Sequence, residues 1–179
     1  YDFPIPDELI AQKPSDRRSD SRLLVYRRED GSITDTFVRN ITDHLDKNHL
    51  LVFNNSRVRP ARIQVSKKSN GRPGELLVLE VENESRCRVV TDKNRKYPPG
   101  TEVVLPDGST AIVSLSDEKH VLIISTTSPL FTGEWFEDNG LIPLPPYIRK
   151  SADEADRERY QTIYADVTGS AAAPTAGLH

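Results

Sequence analysis

The chain has 179 residues, of which 28% are charged and 36% hydrophobic, and a formal net charge of −3. That is the composition of a globular protein, with length for one ordinary domain or two small ones. No apolar run approaches the ~20 residues of a membrane-spanning helix, and Tyr1-Asp2-Phe3-Pro4 lacks the basic start and apolar core of a secretory signal. Cys87 is the only cysteine, which excludes an internal disulfide and a thiolate metal cluster and fits a reducing, cytoplasmic setting.

Taken in order, residues 7–12 read as a short helix with acids in its first turn, and residues 15–21 as a polar loop. Residues 22–27 and 32–37 are strand-like and flank Asp30-Gly31, a hairpin turn signal. Val38, Ile41 and Leu45 fall at helical spacing. Residues 50–53 form a short apolar run that predicts a buried strand, with Asn54, Asn55, Ser56 and Arg57 at its C-terminal end, where open α/β sheets hold ligand-binding groups.

After Pro60 the texture changes. Six short strand-like runs occupy residues 61–68, 75–82, 86–91, 102–105, 109–116 and 120–125, separated by Gly, Pro, Asn and Asp clusters. Short strands at such spacing predict a small all-β sandwich or barrel, and closure into a barrel removes exposed edges. Residues 129–139 read as a helix stopped by Gly140. Residues 141–148, with Pro143, Pro145 and Pro146, form an extended return segment. Residues 152–159 are helical in composition, and residues 160–165 alternate like a strand. The expected fold class is α+β: a partial α/β domain (1–60 and 143–179) into which a six-stranded antiparallel β-barrel domain (61–142) is inserted.

Residues 169–179 are small and polar, with hydroxyls at Ser170 and Thr175 and a group that titrates near neutrality at His179. Small residues of this kind let a backbone approach a ligand closely. Between residues 57 and 74 the charges are Arg57, Arg59, Arg62, Lys67, Lys68 and Arg72, with no acid among them. A second run, Arg86 to Lys96, is almost as basic. Such clusters on an otherwise acidic chain can bind phosphates locally, and Arg62, Lys67, Lys68 and Arg72 are the candidate RNA contacts. Arg57 suits a carboxylate or phosphate because its guanidinium binds bidentately. Asn54 and Asn55 suit a base edge or ribose, although either can instead close a turn on its own backbone. Tyr147 and Tyr160 can stack on bases. Tyr164 reads as core. His44, His49 and His120 stand singly, in a helix, a turn and a barrel strand, without ligand-spaced companions. No GxGxxG, Walker loop, HExxH or CxxC pattern occurs, which disfavours a dinucleotide fold, a metal hydrolase or an ordinary methyltransferase.

Five segments in combination carry more information. They are Asp20-Ser21-Arg22-Leu23-Leu24-Val25, the stretch Leu51-Val52-Phe53-Asn54-Asn55-Ser56-Arg57-Val58-Arg59-Pro60-Ala61-Arg62, Pro143-Leu144-Pro145-Pro146-Tyr147-Ile148, Asp156-Arg157-Glu158-Arg159-Tyr160-Gln161-Thr162-Ile163-Tyr164-Ala165, and Gly169 to His179. In this order they resemble the S-adenosylmethionine:tRNA ribosyltransferase-isomerases of queuosine biosynthesis. The resemblance runs from Tyr1 to His179, and members of that family continue for about as long again, so the chain reads as an N-terminal half that would be inactive alone. It implies the inserted barrel, S-adenosylmethionine as a ribosyl donor and co-substrate, and no metal or bound cofactor. It implies as acceptor a tRNA with a GUN anticodon carrying 7-aminomethyl-7-deazaguanine at the wobble position, the products being epoxyqueuosine, adenine and methionine. On this reading His179 and Thr175 are catalytic candidates, and Arg22, Asn54, Asn55, Arg57, Tyr147, Tyr160 and Ser170 are substrate contacts. Arg57 would face the carboxylate of S-adenosylmethionine near residues 174–179. Two other expectations stay open on the sequence: an RNA-binding module without activity, and a methyltransferase.

Overall fold

A computed structural model describes residues 3–92, 96–145, 147–150 and 152–178. The N-terminal hairpin forms as its turn signal requires. Strands β1 (Arg22–Tyr26) and β2 (Ile33–Phe37) pair antiparallel with Leu24 opposite Asp35. At the turn Gly31 has φ 71°, a left-handed conformation that glycine adopts without strain. The helical spacing after β2 yields a 3-10 helix, Val38–His44, and residues 7–9 form another.

Two strand expectations are corrected. Residues 50–53 belong to no strand and are exposed, with Leu50 87% and Val52 86% accessible. The strand lies just beyond, at β3 (Ser56–Val58), and pairs in parallel with β10 (Val167–Ser170). Residues 160–165 are turns, and Tyr164 is exposed and packs on Phe53 with ring centroids 4.3 Å apart. Both real strands are short and half polar, and each depends on a partner far away in sequence. That leaves no local apolar alternation to read.

The barrel strands are β4 (Arg62–Lys67), β5 (Pro73–Asn83), β6 (Arg86–Val90), β7 (Glu102–Val104), β8 (Thr110–Leu115) and β9 (Leu122–Ser125). They close in the order β4-β5-β6-β9-β8-β7, all antiparallel, with β7 sealing the ring on β4 through Ser66 opposite Val104 and Lys67 opposite Val103. Every second residue points inward, as the pleat dictates, so Ile63, Val65, Leu76, Val78, Cys87, Val89, Val113 and Ile124 form a dry core. Burial pushes the Cys87 thiol up to about 12, which keeps it protonated and unreactive. His120 lies in the turn before β9 with φ 68°, not within a strand.

Helix α1 (Gly133–Asn139) closes one side of the barrel. Its N-cap Thr132 accepts a hydrogen bond from the Trp135 amide, and Phe131, Trp135 and Phe136 join the barrel core. The Trp135 indole donates to Asp107 Oδ2 at 2.8 Å. Gly140 follows because a Cβ there would lie 2.0 Å from the Pro60 carbonyl oxygen. Leu141 bridges Arg62 and draws the proline-rich segment alongside β4. Helix α2 (Glu154–Arg159) has a reciprocal Asp153–Asp156 capping box, and its Arg157 donates to the Glu137 and Gly140 carbonyls at the end of α1. No helix among the described residues is long and apolar enough to cross a membrane.

Candidate active site

The polar segments singled out in the sequence converge on the end of α2. The 3-10 turn Thr175–Leu178 packs there, and its approach to the segment just after α2 rests on small side chains: a Cβ on Gly177 would lie 3.0 Å from Thr162 Cγ2. Arg18 fixes the arrangement. Its guanidinium donates to the Leu178 carbonyl at 2.7 Å and to the Glu158 and Arg159 carbonyls at 3.1 Å. Those acceptors include the negative end of the α2 dipole, where a cation is favoured.

Arg18 separates two cavities. The first, about 260 Å³, is lined by Tyr147, Tyr160, Thr175, Leu178 and Asp156 among others. Tyr147 is half-exposed, and burial, followed by the nearby Tyr147, raises the Tyr160 hydroxyl above the usual phenol range. Asp156 is buried, accepts from Lys150 Nζ at 2.8 Å and from the Asp153 amide at 2.9 Å, and so serves the capping box as well as the cavity. The Lys150 ammonium is correspondingly stabilised, its pKa raised first by the hydrogen bond to Asp156. Gln12 ties the N-terminal segment to this wall, donating to the Tyr147 carbonyl and accepting from the Arg149 amide.

The second cavity, about 650 Å³, is lined by Arg57, Gln161, Thr162, Glu158, Glu154 and Arg157 among others. Arg57 sits in β3 opposite Thr168 of β10. Gln161 clamps the end of β3 with both halves of its amide: Oε1 accepts from the Val58 amide at 2.8 Å and Nε2 donates to the Val58 carbonyl at 2.7 Å. Thr162 is 5% exposed, and its hydroxyl has no hydrogen-bond partner among the described residues.

Tyr147, Tyr160 and Thr175 therefore share one cavity, and Arg57 lines the adjacent one, joined to the Thr175 turn through the Thr162–Gly177 contact. His179 lies outside the described residues. Asn54 Oδ1 accepts from the Ser56 amide, the turn-closing role, while the Asn55 carbonyl accepts from the Asp166 and Val167 amides. The Ser170 hydroxyl donates to the Ala172 carbonyl, and the Ser170 carbonyl accepts from the Arg59 amide. Arg22 is on the hairpin surface facing Asp35 at 3.5 Å.

The barrel cations divide. Arg62 donates to the Leu144 carbonyl at 2.8 Å and faces Glu75 at 3.4 Å. Lys68 pairs with Glu102 at 3.1 Å. Lys67 Nζ lies 5.3 Å from the centre of the Tyr97 ring, and Arg72 has no ion pair among the described residues. Arg18, Asp156 and Thr162 escaped sequence reading. Arg18 acts on main-chain carbonyls, which leave no trace in residue identity, and Thr162 is marked only by the company of Gly177.

Fold and site define an α+β protein in which a closed six-stranded barrel sits beside a small-residue turn and two polar cavities. The family model described as "Queuosine biosynthesis protein" matches residues 1–179, and the chain belongs to that family. It is 41% identical over 180 residues to the S-adenosylmethionine:tRNA ribosyltransferase-isomerase of Geobacter sulfurreducens, covering 100% of this chain and 52% of that protein. Its identity to the protein of the same name from Geobacter metallireducens is 42% over 186 residues, with the same coverage. To that from Treponema denticola it is 37% over 184 residues, covering 100% and 53%. The chain thus spans about half the length of the curated relatives it matches. Among solved structures it is similar to the S-adenosylmethionine tRNA ribosyltransferase of Thermotoga maritima at 29% identity, with a TM-score of 0.39, over 78% of this chain and 47% of that one. These relatives favour neither the inactive RNA-binding module nor the methyltransferase.

Proposed function

We propose that the intact protein is a tRNA-modifying transferase. It transfers the ribosyl moiety of S-adenosylmethionine to a 7-aminomethyl-7-deazaguanine at the wobble position of a tRNA with a GUN anticodon and isomerises it, releasing adenine and methionine. The match of the queuosine family over the whole chain carries this reading. The cytoplasm, where tRNA and S-adenosylmethionine meet, is its setting. The chain supplies the family's first half, built as a barrel domain (61–142) inserted into a domain formed by 1–60 and 143–179. Residues 1–179 alone should release no adenine.

The chemistry asks for a base at the carbon beside the sulfonium, an acid for the departing adenine and an unprotonated acceptor amine. Positioned groups titrating near neutrality serve such steps, and His179, with Thr175, is the candidate within this chain. Arg57 provides the guanidinium for the co-substrate's carboxylate. Tyr147, Tyr160, Ser170, Asn54, Asn55 and Arg22 remain proposed substrate contacts, and Lys67, Lys68, Arg72 and Arg62 proposed contacts to RNA.

In the test, full-length protein receives S-adenosylmethionine and precursor-bearing tRNA. Equal amounts of adenine and methionine are expected. S-adenosylhomocysteine would indicate a methyltransferase, and no product a binding module. His179→Ala is expected to slow adenine release by about 10²–10⁴-fold, the contribution of a positioned acid or base. Unchanged release would make His179 structural.

A further inference from the structure

The two cavities beside Arg18 differ in charge. Around the tyrosine cavity stand Lys13, Arg18, Lys150 and Arg159 against the single carboxylate of Asp156, and that carboxylate is spent on Lys150 and the capping box. Arg18 and Arg159 are close neighbours, and neither has an ion pair among the described residues. Arg18 donates to carbonyls of residues 158, 159 and 178, and Arg159 to those of residues 15 and 16. Burial, and then the charge of Arg159, lower the Arg18 pKa, and the charge of Glu158 opposes them only in part. The second cavity is different. Arg18, Arg57 and Arg157 are matched there by Glu137, Glu154 and Glu158, beside the Thr162 hydroxyl, which has no hydrogen-bond partner among the described residues.

We infer that the cavities sort the two substrates by charge. The tyrosine cavity takes a nucleotide of the RNA, with its phosphate at Arg18 and Arg159 and its base against Tyr147 and Tyr160. The carboxylate-bearing cavity takes the methionine end of S-adenosylmethionine. This rests on the substrates proposed above, and the physical reason is direct. S-adenosylmethionine has no phosphate and carries a net positive charge, from a sulfonium and an ammonium against one carboxylate. With Lys150 paired to Asp153 and Asp156, Lys13, Arg18 and Arg159 remain to repel it. In the second cavity, by contrast, Glu137 and Glu154 offset Arg157, and Glu158, without an ion pair among the described residues, stands with Arg57 to accommodate both signs. An RNA nucleotide brings a phosphate that can ion-pair with Arg18 and Arg159, neither of which has an ion pair among the described residues, and an aromatic face that tyrosine stacks on. Arg18, shared by both cavities, places the two ligands against each other.

The experiment measures binding to full-length protein, separately for each ligand. A fluorescent anticodon stem-loop RNA is titrated by anisotropy and S-adenosylmethionine by calorimetry. Tyr147→Ala, at a half-exposed position where the fold is not at stake, is expected to weaken the RNA by about tenfold or more, the effect of a lost base stack, and to leave S-adenosylmethionine binding unchanged. Glu154→Gln with Glu158→Gln is expected to do the reverse. A stem-loop with a neutral methylphosphonate at the wobble nucleotide should bind wild type several-fold more weakly, and that penalty should be clearly smaller in Arg159→Gln, where Arg18 alone faces the phosphate. The inference is overturned if Tyr147→Ala weakens S-adenosylmethionine instead, if the carboxamide pair weakens the RNA, or if the methylphosphonate penalty is undiminished in Arg159→Gln. Protein that binds both ligands with this pattern but forms no adenine would sink the proposed reaction and leave the cavity assignment standing.

Discussion

Gly74 shows how one position in β5 is fixed by a residue from another part of the barrel. A Cβ built there would lie 1.7 Å from the Tyr97 hydroxyl oxygen and 3.0 Å from the carbon bearing it. Tyr97 is 3% exposed and belongs to the barrel core, so its ring has nowhere to retreat. Gly74→Ala is expected to cost about 1–3 kcal/mol, the range for overpacking, read as a shift in the urea midpoint. In a Tyr97→Phe background the same substitution should cost clearly less. Equal costs would show that the strain is not at the hydroxyl. At this scale the sequence made the site partly legible. Tyr147, Tyr160 and Thr175 were nominated by their segments and do meet in one cavity. Arg18 was not, because its acceptors are main-chain carbonyls as far as 160 residues away.

Elements were legible where side chains alternate and turns are spelled out. All six barrel strands lie close to their expected positions, since Ile63, Val65, Leu76, Val78, Cys87 and Val89 alternate with exposed or half-buried neighbours between Gly- and Pro-bearing turns. β3 and β10 were not legible, because Ser56-Arg57-Val58 and Val167-Thr168-Gly169-Ser170 carry no such pattern, and a parallel partner over 100 residues distant decides them. Between these extremes stands α1, whose hold on the barrel has a titratable component at Asp107. Burial alone would raise the Asp107 pKa, but hydrogen bonds from Ser109 and the Trp135 indole prevail and hold it below the usual carboxylate value. The folded state therefore binds the proton more weakly than the unfolded chain. This contribution is complete above the unfolded value of about 3.9 and fades as pH falls through the lower folded value. Asp107→Asn is expected to lower the urea midpoint at neutral pH, with the gap to wild type narrowing below about pH 4. A gap constant down to about pH 2.5 would assign the loss to packing alone.

Across the whole molecule, order is unevenly supported. The barrel closes its own edges and buries one contiguous core. Outside it, among the described residues, the ladders are two pairs of strands, and large apolar side chains face solvent, among them Phe3, Leu50, Val52 and Ile163. A two-stranded ladder that buries as little as Val58 is marginal in water, and regions with few buried contacts open first. Arg57, Ser170 and the clamp of Gln161 on Val58 all depend on β3 and β10. This chain spans about half the length of its relatives, and we predict that in a longer protein the exposed Leu50, Val52 and Ile163, which precede β3 and β10 in sequence, become covered. Hydrogen exchange tests this dependence. In the 179-residue chain the amides of β5, β6 and β9 should exchange slowest, and those of β3 and β10 close to the unprotected rate. In the full-length protein β3 and β10 should gain protection while the barrel amides stay as they were. Such a result would tie assembly of the Arg57 cavity to the presence of the second half and account for the inactivity expected of residues 1–179. Equal protection of β3 and β5 in the short chain would instead mean that this half holds its cavities open unaided, and the cause of inactivity would then have to be a missing chemical group rather than a missing wall.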